Sequence, residues 1–221
     1  ILPCDIEGPA PPEASNHSFV CLVNDTIEIW EMDPSFINPG HSTVSRVGAI
    51  KVTAYDSDLC SAFREACIPQ PSSQPALIAL SGRLMFRAPY RNFGTHQSIV
   101  LNHTVDASRA PPSTQGTAGI RWYELRKTSG TWTVFQQGTY APDSVHRFMG
   151  SIGINMYGDI MLGYSASGIN TFPSIRFTGR LSSDPLGVMT FAEGTIMAGT
   201  GTQSSDNQWG AFSTLSLDPI D

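Results

Sequence analysis

Three arginines stand where side-chain chemistry is conceivable: Arg87 after Phe86, Arg121 after Ile120 and Arg176 after Ile175. A guanidinium is a planar fork of donors that grips a carboxylate through two parallel hydrogen bonds. Three such forks converging on one point would hold an acidic ligand. Tyr123 beside Glu124, with Glu193 as a further carboxylate, would supply the other half of that chemistry. A carboxylate that accepts the phenolic proton turns a tyrosine into a nucleophile. Arg121 and Arg176 also occupy matching places in two copies of a sequence repeat. A repeated position is explained as well by structure, its donors bonding carbonyls between neighbouring units.

Other reactive residue types carry weaker signals. The cysteines are Cys4, Cys21, Cys60 and Cys67, an even number in loop-like segments. Two disulfides are expected, pairing nearest neighbours: Cys4 with Cys21 and Cys60 with Cys67. Zinc ligation needs closer cysteine or histidine pairs than these gaps provide. His17, His41, His96, His103 and His146 show no ligand spacing and read as loop or surface residues. Asp56-Ser57-Asp58 and Ser182-Ser183-Asp184 could offer oxygens to calcium. Turn formation explains both clusters without an ion, because Asp and Ser bond their own backbone. No metal or cofactor is therefore expected, with calcium the one open alternative. Three sequons, at Asn16, Asn24 and Asn102, are candidate glycosylation sites.

The elements that must position these residues are strands. Runs rich in Val, Ile, Thr and aromatics alternate with Gly, Pro, Asn, Asp and Ser clusters, and helical periodicity is almost absent. The one helical turn expected is 58–66. Gly119-Ile120-Arg121-Trp122-Tyr123-Glu124-Leu125-Arg126 matches Ser174-Ile175-Arg176-Phe177-Thr178-Gly179-Arg180. Thr131–Thr139 then matches Val188–Thr195 at nearly the same offset, close to 55 residues. Two further strands precede each copy, 83–90 with 97–105 and 150–156 with 159–165, so each unit holds four antiparallel strands. That is the grammar of a propeller blade. Segments 26–32 and 44–53 read as outer strands of an earlier blade, and 210–217 as the first strand of a later one. A β-sandwich with a duplicated half is the alternative.

Composition narrows the setting. Of 221 residues 40% are hydrophobic and 14% charged, and the net charge is −6. Surface polarity must come from Ser, Thr, Asn and Gln, a balance typical of extracellular proteins. The acidic balance argues against nucleic acid and anionic membrane surfaces, which need clustered Lys and Arg. No apolar run reaches the 18 residues of a membrane span. No signal peptide opens the chain, as expected of a mature protein or an internal fragment.

The segment 60–221 resembles a family of bacterial secreted β-propeller proteins of unassigned function. The likeness rests on Cys67-Ile68-Pro69-Gln70-Pro71, Tyr90-Arg91-Asn92-Phe93 and Arg121–Arg126. It continues through Gln136–Asp143, Gly163-Tyr164-Ser165 and Pro173–Arg176. The ending departs from the family at Ala211 and Phe212, where an acidic residue and a tyrosine are usual. Phe86-Arg87-Ala88-Pro89 is similar to the F-R-x-P motif of sialidases, distant propellers whose arginine in that motif holds the substrate carboxylate. The sialidase aspartate-box repeat has no full counterpart, since Ser204–Trp209 is too short.

The expectations are then an all-β β-propeller of four-stranded blades, with this chain covering three to four blades of a larger ring. A partial blade would span 16–54, a connector with a disulfide 55–81, blades 82–140 and 149–198, and a first strand of the next blade 209–218. The rest of the ring would come from the same or another chain. The expected role is a non-catalytic module, secreted or at the cell surface, for adhesion, display or assembly, with glycan or an extracellular protein as partner. A sialidase-like hydrolase using Arg87, Arg121, Arg176, Tyr123 and Glu193 is the alternative.

Overall fold

A computed structural model describes residues 1–12, 15–60, 66–73, 75–108 and 116–218. The chain is all-β, with strands β1 (Leu2–Glu7), β2 (His17–Val23), β3 (Thr26–Asp33), β4 (Thr43–Lys51), β5 (Ala66–Ile68), β6 (Leu77–Ile78) and β7 (Ala88–Asn92) in the first half. The second half holds β8 (Gln97–Asp106), β9 (Ala118–Lys127), β10 (Thr133–Tyr140), β11 (His146–Ile154), β12 (Ile160–Gly168), β13 (Thr171–Arg180) and β14 (Gly194–Met197).

Eight strands form one sheet in the order β10-β9-β8-β7-β1-β2-β3-β4, and β11–β14 form a second, four-stranded meander. Segments 16–54 and 82–140 thus share one sheet. They meet where β1 pairs in parallel with β7, Cys4 opposite Ala88. The sheet curls into a half-barrel. Its inner face gathers Cys4, Val20, Ile27, Ile29, Tyr90, Ile99, Leu101, Tyr123 and Leu125 into one core. The backbone N–H of Thr53, just past β4, donates to Gln137 Oε1 on β10 at 3.0 Å, drawing the sheet's far edges together.

The outer face of β8 and β9 packs on the second sheet, with Val100, Ile120 and Trp122 against Ile152, Ile154, Leu162 and Tyr164. Successive strand residues point to opposite faces, so Leu101 and Tyr123 serve one core while Val100 and Trp122 serve the other. That double burial is why β8 and β9 are buried along almost their whole length, polar residues such as Asn102 and Glu124 included. Hairpins close where the sequence carries turn residues: Asn24 at φ 51° between β2 and β3, and Gly158 at φ 83° between β11 and β12.

Several expected elements take another form. Segment 83–87 stays irregular and the strand begins only at Ala88. Of 188–195 only the last residues join β14. Phe191 instead touches β13 through two isolated bonds, its N–H to Gly179 O at 2.9 Å and its carbonyl from Thr178 Oγ1 at 2.8 Å. Segment 210–217 is not a strand, because it lies across the outer face of β11 and β12, where no ladder can form. Leu215 N–H donates to Ser151 Oγ at 2.9 Å there. Gly153 permits the approach, since a Cβ on it would lie 2.5 Å from Leu215. The helical turn over 58–66 falls largely outside the described residues; Leu59 and Cys60 form a bend and Ala66 is already strand.

Cys60 and Cys67 are joined, their Cα atoms 5.3 Å apart. The pairing of Cys4 with Cys21 is not formed, and both are free thiols. On β1 and β2 Leu2 lies opposite Val20, three positions out of register for such a bond. Cys4 points into the half-barrel beside Val20, whereas Cys21, next in sequence, faces the other side and meets Glu28 Oε2 at 3.7 Å.

Candidate functional site

The three arginines are not brought together. Arg87 forms ion pairs with Asp5 and Glu7 at β1. Arg121 donates to Gln137 Oε1, to Thr139 Oγ1 at 3.2 Å and to Thr53 O at 3.5 Å. Arg176 donates to Glu193 Oε2 at 2.7 Å. Tyr123, fully buried, shares a hydrogen bond of 2.9 Å with His103 Nε2. Glu124 is fully buried and accepts from Ser98, Arg126 and Gln136 at 2.9, 2.6 and 2.6 Å.

A tyrosine–glutamate pair does exist, built on a tyrosine that the sequence assigned to no site. Tyr164 O–H donates to Glu193 Oε1 at 2.8 Å. Arg147 grips the same carboxylate through Nε and Nη2 at 2.8 and 3.0 Å, and also holds Asp143 at 2.7 and 3.1 Å. Burial pushes the Glu193 carboxyl up, but the hydrogen bonds from Arg147, Tyr164 and Arg176 outweigh it and hold the group below its ordinary range. Burial, followed by the hydrogen bond to Glu193 and then its charge, raises the Tyr164 hydroxyl far above that of a free phenol. Every oxygen of Glu193 is occupied, and Tyr164 is 2% exposed. Such a network fastens β11, β12 and β13 to the segment entering β14. It leaves no free carboxylate-binding fork.

The half-barrel has two unlike ends. At one, Tyr55 meets the His103 ring edge-on at 4.7 Å, and His103 stacks on Tyr123 at 5.7 Å, with Arg121 beside them. At the other end a pocket of about 260 Å³ opens between the start of β2, the ends of β3 and β9, and the segment before β10. Tyr90 and Trp132 form its aromatic lining, and Gln97, Glu31, Lys127 and His17 its polar one. Tyr90 O–H donates to Gln97 Oε1 at 2.9 Å, leaving the Gln97 amide N–H groups without a partner among the described residues. The Trp132 indole N–H, on a residue 7% exposed, is also unpartnered among them. Lys127 stands 3.9 Å from Glu31, so the two charges offset each other. Cys4 at the pocket floor has its thiol pushed up to about 12 by burial and is no nucleophile near neutrality. Burial likewise pushes Tyr90 up to about 12, keeping it a neutral donor.

The remaining candidates fall in scattered places. Asn16 is exposed at the pocket rim and Asn24 is exposed in the β2–β3 turn. Asn102 is fully buried in β8, so a glycan there is incompatible with this fold. His103 and His146 are buried in strands, correcting the surface reading, because the runs around them serve two cores. Asp56 Oδ1 accepts from Asp58 N–H at 2.8 Å and Asp184 Oδ2 from Leu181 N–H at 2.8 Å, both as backbone turns. Among the described residues no three His, Cys, Asp or Glu groups converge as metal ligands. Trp122 and Trp132 are buried in the two cores, while Trp30 and Trp209 are half-buried. Tyr90, Gln97 and Lys127 carry no local motif that marks them; only the meeting of strand ends from distant segments makes them a site. No family model matches the chain, and no curated protein or solved structure matches it either.

Proposed function

We propose that the chain is a non-catalytic extracellular binding module whose ligand site is the pocket at the open end of the half-barrel. The orphan Trp132 N–H beside Tyr90, Gln97 and the offset Lys127–Glu31 pair carries this reading. An aromatic face with spare amide donors and no net charge suits a neutral, hydroxyl-rich ligand such as a glycan. The Cys60–Cys67 disulfide, the low charge content and the two exposed sequons support an extracellular setting. The hydrolase alternative is disfavoured by its arginines, which are separate and already bonded to partners of their own.

Calorimetric titration with neutral oligosaccharides tests the reading. Saturable binding is expected, weakened at least fivefold by Gln97→Ala and by Trp132→Phe, which keeps the packing and removes the N–H. Affinity unchanged in both variants would sink it, as would turnover of a fluorogenic sialoside.

The finer architecture, consecutive blades of a larger ring completed by further chain, draws support from the two face-packed meanders β7–β10 and β11–β14. The parallel join of β1 to β7 favours a single curled half-barrel in its place. Small-angle scattering from the full natural polypeptide separates an annular particle from a compact one.

A further inference from the structure

A second cavity lies on the far side of the molecule from the half-barrel, between the outer face of the four-stranded sheet and the segment that crosses it. It holds about 290 Å³. The sheet contributes Gly163, Ser165, Ile175 and Ile196; the crossing segment contributes Trp209 and Leu215. No charged residue lines it. Gly163 adds no side chain, so the floor sinks to the backbone of β12. Ser165 stands in the cavity wall. A serine hydroxyl at a cleft wall can both donate to and accept from a ligand. Ile196, 57% exposed, forms the cleft's lip on the sheet's edge strand.

We propose that this cleft is a binding site for a small uncharged ring-bearing ligand, with one polar atom directed to Ser165 Oγ. The mainly apolar walls favour a ring over a sugar: Ser151 and Ser213, which also line the cleft, are already hydrogen-bonded within the protein, so few hydroxyls of a polyhydroxylated ligand would find partners there. An ionised ligand is excluded on the same ground, since nothing in the lining could offset its charge.

The test uses 2-naphthol, with 2-naphthoate and naphthalene as comparators, in titrations followed by NMR shifts of the protein. Saturable one-to-one binding of 2-naphthol is expected, with 2-naphthoate at least tenfold weaker. Ile196→Asp, on an exposed side chain, should weaken 2-naphthol tenfold or more while the melting temperature holds. Ser165→Ala should weaken 2-naphthol about threefold to tenfold, the value of one neutral hydrogen bond, and leave naphthalene unchanged. No saturable binding of 2-naphthol, equal affinity for 2-naphthol and 2-naphthoate, or an unaltered titration in Ile196→Asp would overturn the site. Equal losses of 2-naphthol and naphthalene in Ser165→Ala would overturn the role of the hydroxyl.

Discussion

Arg176 donates to Glu193 from the same place in the repeat at which Arg121 donates to Gln137. The arginines are 55 residues apart and their acceptors 56, the extra residue falling in the irregular chain before β14. The sequence repeat is therefore also a repeat of interactions, third strand to fourth. The second copy is elaborated: Arg147 and Tyr164 join it, and the acceptor is a carboxylate in place of a carboxamide.

That difference gives an asymmetric mutational outcome. Glu193→Gln keeps the shape but leaves two arginines without their shared charge, one of them with a fully buried side chain. A loss of about 2–3 kcal/mol is expected in urea unfolding. Gln137→Glu should stay within about 1 kcal/mol of the parent, since Arg121 has no other carboxylate among its hydrogen-bond partners. Equal effects at the two sites would show that the cluster contributes nothing beyond the repeat's common pair.

Acid should destabilise the fold in two stages. Burial, aided by the Arg121 charge, lowers His103 from 6.5 to about 3. The unfolded chain then binds a proton that the native state refuses, so stability falls as pH drops from about 6.5 towards 3. The slope for one such group approaches about 1.4 kcal/mol per pH unit. Glu193 and Asp143 act lower down: their carboxyls are depressed in the fold, so their contribution persists above the ordinary carboxylate range and is lost as pH falls through their lowered values. Urea midpoints at pH 7, 6, 5 and 4 should fall throughout, and His103→Gln should flatten the upper part of the curve. An unchanged slope in that variant would remove His103 from the account.

The strands were legible in the sequence because alternation and turn residues are local. β8, β9, β11, β12 and β13 stand close to where their β-branched and aromatic runs place them. Sheet membership was not legible. The parallel pairing of β1 with β7 links residues more than eighty positions apart, and Pro3 with Asp5 and Glu7 made β1 look like a loop. Without β1 the two meanders read as separate units; with it they fuse into one curled sheet. The candidate pocket was hidden for the same reason. Trp132 was visible as an aromatic, but its partners Tyr90 and Gln97 arrive from other strands, and no spacing rule connects them. The cluster of Arg147 and Tyr164 was not legible because its members Asp143, Arg176 and Glu193 arrive from separate segments, and no spacing rule connects them.

The buried sequon offers a test on Asn102. Its Oδ1 and Nδ2 both lack partners among the described residues, although the residue is fully buried. In a glycosylating host Asn16 and Asn24 are expected to accept glycan, while glycopeptide mass spectrometry should find Asn102 bare. Replacing a buried unpaired amide with an apolar group of similar size removes a desolvation cost of about 1–3 kcal/mol. Asn102→Leu should therefore match or exceed the parent's stability. A loss above about 1 kcal/mol would mean that an ordered water satisfies the amide between the sheets.

The cysteines separate by reactivity as well as by pairing. Intact mass before and after reduction should show one disulfide, and peptide mapping should place it at Cys60–Cys67. Cys21 is partly exposed and its thiol is raised, by burial and then by the Glu28 charge. Cys4 is 3% exposed, and its thiol is pushed up to about 12. Thiolate is the reactive form, so a maleimide at pH 7.5 should label Cys21 within minutes and Cys4 only as the half-barrel opens. Adding urea below the unfolding midpoint should accelerate Cys4 labelling in step with the free energy of that opening. Comparable rates for the two thiols in native buffer would contradict the placement of Cys4 in the core. A Cys4–Cys21 peptide in the unreduced map would contradict the register of β1 on β2.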